Sequence, residues 1–148
     1  MPPYDARIAQ ALPGMIANSR PGDGVTVIIE DAAGVGFGVP VFQGVKDNGA
    51  TATPSAKFLG ITPIDITLVH KGADVDRYKQ GENATAKRGG VIWVTNGAAA
   101  VVKGDPVYIT PAGAYTNVDG GGANFAAGRS VFDSSAAAGA LVRIEVNP

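Results

Sequence analysis

The sequence predicts an all-β fold: one β-sandwich or barrel, jelly-roll-like in character, with an extended N-terminal arm. Three observations predict it. Apolar residues recur with a period of two in short runs spaced about ten residues apart. Gly and Pro supply 21 and 10 of the 148 residues, well above their usual joint share of about 12%, and they punctuate those runs where hairpins must turn. Charged residues reach only 17% against a usual ~25%, so much of the surface is small and weakly polar, and such a surface suits being covered. The chain is one domain in size.

Residues 1 to 23 form the arm. Pro2, Pro3, Pro13 and Pro21 remove backbone donors and force extended geometry, which bars the arm from a central strand and suits it to lie over another surface. Its one plausible helical turn is Tyr4 to Leu12. The domain proper runs from residue 24 to 148. Val25, Val27 and Ile29 alternate with Thr26, Ile28 and Glu30 as one strand with a buried face. Between Val35 and Phe42 glycine alternates with larger residues, Gly34, Gly36 and Gly38 on one face and Val35, Phe37 and Val39 on the other; the bare face permits close approach by a strand, a partner or a ligand. Gln43 to Ala56 reads as a loop around Asp47-Asn48-Gly49. Phe58 to Thr62 and Ile66 to Val69 read as strands parted by Pro63. Val91 to Thr95 is apolar on both faces, which predicts a central strand with Trp93 in the core. Val107 to Thr110 and Ala114 to Asn117 make a hairpin across Pro111-Ala112-Gly113. The Ala-rich Ser134 to Ala140 reads as a helical turn ahead of a last strand, with Val142, Ile144 and Val146 inward.

Composition excludes much chemistry. With no Cys and only His70, thiolate nucleophiles, disulfides, iron–sulfur clusters and transition-metal sites have no ligands to draw on. A net charge of -1 without a run of either sign excludes counterion release from nucleic acid as a main source of affinity. No apolar run approaches the ~20 residues of a membrane span, and no secretory pattern opens the sequence, so a soluble, unprocessed product is expected. Gly34 to Val39 lacks the third glycine of a dinucleotide loop. Asp74 and Asp76 lack the following ligands of a calcium loop. His70 would serve as a general base only with a nucleophile or polar pocket beside it. The residues therefore yield no catalytic, cofactor or metal site.

The ordered succession of segments resembles the bacteriophage structural cement proteins, which decorate the outside of tailed-phage heads. The resemblance rests on Leu12-Pro13-Gly14-Met15-Ile16-Ala17, Gly36-Phe37-Gly38-Val39-Pro40-Val41 and Phe58-Leu59-Gly60-Ile61-Thr62. It continues through Tyr78 and Gly81 ahead of Gly90-Val91-Ile92-Trp93-Val94, then Lys103 to Thr116 and Ala136 to Val146. It implies no enzymatic residues and no cofactor. As partners it implies the major capsid protein of a tailed phage and a second or third copy of the chain, as a homodimer or homotrimer, without nucleic acid or membrane. Location on the outer surface of the virion, after synthesis in the host cytoplasm, follows from the same resemblance.

The arm is expected to anchor the protein through Tyr4, Ile8, Leu12, Met15 and Ile16, with Gly36, Phe37 and Gly38 as a second contact. The competing reading is a carbohydrate- or receptor-binding β-domain on the virion, which calls for exposed aromatics around a polar pocket. An enzyme would need a deep pocket with perturbed acids around His70.

Overall fold

A computed structural model describes residues 11–18, 22–68, 72 and 75–148. Twelve strands make up the described architecture: β1 (Gly24–Ile29), β2 (Val35–Gly36), β3 (Pro40–Gln43), β4 (Gly49–Thr51), β5 (Phe58–Ile61), β6 (Arg77–Tyr78), β7 (Asn83–Lys87), β8 (Val91–Thr95), β9 (Pro106–Ile109), β10 (Tyr115–Thr116), β11 (Phe125–Phe132) and β12 (Leu141–Glu145). Strands β1-β4-β3-β5-β7 close into a small barrel, β10-β9-β11-β12-β8 form an open sheet, and β2 pairs with β6. Sandwich and barrel are both present.

Two apolar cores follow from this arrangement. Inside the barrel, Val27, Ile29, Val41, Ala50, Ala84 and Ala86 pack with Val35 and Tyr78. Three of these are alanines, as the narrow interior of a five-stranded barrel requires. The second core lies between the barrel wall and the open sheet, where Phe42 and Ile61 meet Ile92, Val94, Val107, Ile109, Phe132, Val142 and Ile144. Strand β3 shows why both cores are needed: Val41 points into the barrel and Phe42 into the sheet side. Successive strand residues face opposite ways, so a strand shared by two cores is apolar at successive positions, as Val41 and Phe42 are.

Residues 14–17 run antiparallel along β8. Gly14 N donates to Trp93 O at 2.7 Å, Trp93 N to Met15 O at 2.8 Å and Ala17 N to Val91 O at 2.8 Å, and Ile16 bridges Ile92. This corrects the expectation of a central β8. It is the last strand of its sheet, and the arm satisfies the backbone edge that would otherwise invite pairing. Trp93 is likewise not a core residue. Ile92 and Val94 turn inward, while Trp93 is half-buried on the outer face opposite Arg143.

Other local expectations are revised. The Val35 to Phe42 stretch is two strands separated by a turn, since Gly38 takes a φ of 71°. The Gln43 to Ala56 loop contains β4, which pairs parallel with β1 and antiparallel with β3. No strand forms at Ile66 to Leu68. There the Asp65 carboxylate accepts hydrogen bonds from Thr67 N at 2.9 Å and Thr67 Oγ1 at 2.6 Å, an Asx turn that competes with extended pairing. Ser134 to Ala140 is turn and bridge rather than helix, with Ala136 paired to Val101. The predicted hairpin over β9 and β10 forms, and Val142, Ile144 and Val146 are buried.

Candidate interaction surface

The arm and the glycine-rich segment meet. A Cβ on Gly14 would stand 2.7 Å from Ile64 N and 2.9 Å from Phe37 Cβ, and one on Gly38 would stand 2.9 Å from Gly14 N. Both glycines have positive φ, 86° and 71°, so each is required for its conformation and for the contact. The bare face read from the sequence is thus approached by the chain's own arm.

Hydrogen bonds lock the junction. Ile64 N donates to Gly14 O at 2.8 Å and Gly38 N to Thr62 O at 2.7 Å. The fully buried Thr62 hydroxyl donates to Gly36 O at 2.7 Å and accepts from Val39 N at 3.1 Å. Two tyrosines close the junction from below, Tyr115 through Oη to Gly38 O at 2.9 Å and Tyr78 through Oη to Pro63 O at 2.8 Å. Phe37 stands edge-on to Tyr78, ring centroids 5.4 Å apart. Burial holds both phenols neutral, raising Tyr78 to about 12, with the Asp65 carboxylate adding to the effect, and Tyr115 well above its ordinary value.

On the outside of this lock lies a hollow of about 300 Å³ lined by Leu12, Pro13, Gly36, Phe37, Ile64 and Asp76. A second, of about 360 Å³, flanks the Pro13 and Phe37 ridge and reaches Gly38, Gly97 and Tyr115. Leu12 is 55% exposed, and Met15, Ile16, Ile66 and Val75 are also exposed in the arm and the loop after β5. Leu12, Pro13, Phe37 and Ile64 share one hollow, and apolar side chains around an exposed hollow mark an interaction surface. Asp76, with φ of 58°, is the sole non-glycine residue with positive φ among those described, and strained backbone of this kind clusters where a protein makes functional contacts.

Of the expected contact residues, Leu12, Met15 and Ile16 lie exposed along the arm, Phe37 and Gly38 lie directly against it, and Gly36 lines the hollow beside Leu12 and Pro13. Tyr4, Ile8 and His70 are outside the described residues. Ile64 and Asp76 were not anticipated, because their segments read as strand and turn and only the fold brings them to the hollow beside Leu12 and Pro13. Among the described residues no group of three His, Cys, Asp or Glu converges.

The family model of the structural cement protein (E217 gp24/Pam3 gp6) matches residues 2–147. A chain in the solved capsid of Myoviridae phage XM1 has the same fold, with a TM-score of 0.74 and 20% identity over 96% of this chain and 93% of that one. No curated protein matches the sequence.

Proposed function

Because the chain belongs to the phage structural cement protein family, it is a capsid decoration protein, and we propose that it sits on the outer surface of the assembled head and bridges neighbouring capsomers without enzymatic activity. The observation that carries the contact assignment is the Gly14–Gly38 lock. It fixes Leu12, Phe37 and Ile64 around one hollow before any partner arrives, and preorganisation of this kind lowers the entropic cost of binding.

Bridging calls for a second, separate contact. The turn between β3 and β4 supplies a candidate: Val45 is 97% exposed at its tip. The Glu30 carboxylate accepts from Val45 N and Lys46 N, each at 2.8 Å, and the Gln43 amide donates to Lys46 O at 2.6 Å. Strand β3, four residues rising about 3.3 Å each, separates this tip from the arm junction, and the proposal assigns the two contacts to different neighbours. A ligand that binds only the assembled shell stabilises it by about 4 kcal/mol per site at a thousandfold excess over Kd. Self-association as a dimer or trimer adds avidity where both arms reach the lattice together.

The test is co-sedimentation with undecorated heads. Leu12→Asp, at an exposed position, places a charge in the hollow and is expected to weaken binding at least tenfold while leaving the thermal midpoint nearly unchanged. Unaltered binding removes the arm junction from the contact.

A further inference from the structure

A hollow on the outer face of the open sheet has a different chemistry. It measures about 460 Å³ and is lined by Trp93, Ser134, Ser135, Leu141 and Arg143, a size ordinary for a small-molecule site. Trp93 and Arg143 are directly paired across β8 and β12, and the guanidinium carbon lies 5.7 Å from the ring centroid. Arg143 is held there by the chain itself. One terminal nitrogen donates to Asp133 O at 3.2 Å, and Nε lies 3.4 Å from Asp133 Oδ2. That Nε is shielded from solvent and makes no aligned hydrogen bond among the described residues.

The side-chain polar groups lining the hollow are donors. Ser134 Oγ accepts from Arg143 N at 3.0 Å and Ser135 Oγ from Lys103 N at 3.1 Å, so each hydroxyl keeps its hydrogen to give. The neighbouring carboxylate of Asp133 is shared between Lys103 at 3.8 Å and Arg143 at 3.4 Å. The Arg143 guanidinium beside two hydroxyls that can donate, flanked by indole and Leu141, suits a ligand with a carboxylate on a compact ring that has an apolar face.

We propose that this hollow binds an acidic monosaccharide unit, its carboxylate on Arg143 and its ring against Trp93. The arm pairs with the backbone of Trp93, but none of its side chains lines this hollow, so the proposal does not rest on the decoration role.

Trp93 is the only tryptophan, and its emission reports on the site directly. The full chain is titrated with glucuronate and N-acetylneuraminate, with glucose as the neutral control, acetate as the bare anion and a short acidic peptide as the protein-like competitor. Saturable emission changes with an acidic sugar are expected, with glucose and acetate at least tenfold weaker. Arg143→Gln is expected to weaken binding about tenfold or more, since a hydrogen bond to a charged group is lost. Amide shifts at Ser134, Ser135 and Leu141 give a second readout that does not depend on the indole's surroundings. Absence of saturation with both acidic sugars, an equal response to glucose, tighter binding of the peptide, or amide shifts confined to other residues would each overturn the proposal.

Discussion

At position 38 only glycine meets two demands together, a φ of 71° and an approach that leaves 2.9 Å between a would-be Cβ and the arm's Gly14 N. Gly38→Ala is expected to destabilise the fold by about 1–3 kcal/mol in urea unfolding; a change within about 0.5 kcal/mol would contradict the lock. Beneath it, Tyr78 and Tyr115 titrate above their ordinary range. A raised folded value means that their contribution is fully present below the unfolded value near 10, and is lost as pH rises through the folded one. Absorbance titration should leave both phenols unionised at pH 11 in the folded protein, and full ionisation there without unfolding would contradict the buried junction. At this scale the alternation of Gly34, Gly36 and Gly38 was informative, since it marked a close approach. Trp93 was misread because an apolar run says which residues avoid water but not which strand is last in its sheet. Only the pairing with Arg143 reveals the outward face.

Among the elements, the arm and the β3–β4 turn carry the account. The proline spacing excluded a central strand and was consistent with a surface element, and residues 14–17 do pair along the edge of β8. The turn was legible through Asp47-Asn48-Gly49, whereas β4 was not, being three residues long and stabilised by partners distant in sequence. Glu30 was read only as the polar side of β1. Its carboxylate nevertheless closes the turn, and the backbone donors of Lys46 and Val45 hold it below the usual glutamate range. A depressed folded value contributes stability above the unfolded value near 4.3, lost as pH falls through the folded one. The protection factors of the Val45 and Lys46 amides, taken against intrinsic exchange at each pH, should therefore fall on acidification below that range, and Glu30→Gln should show weaker protection at neutral pH. Protection that is unchanged in the variant would separate Glu30 from the turn.

For the whole molecule, a barrel and an open sheet sharing the β3 and β5 wall keep the arm junction and the Val45 tip in fixed relation. A specific contact buries on the order of 800 Å² per partner, about a tenth of the 8309 Å² of accessible surface, so there is room for two such contacts and a separate ligand hollow. The all-β class and the family were both readable from the order of short strands and turns. The two-core layout was not, because the adjacent apolar residues Val41 and Phe42 do not say that a separate core covers each face of β3. The most direct measurement is imaging of bare expanded heads mixed with the purified protein. The account predicts density for each copy lying across two adjacent capsid subunits, with the arm junction on one and the Val45 turn on the other. Copies seated wholly within single subunits, or heads left undecorated at saturating protein, would contradict it.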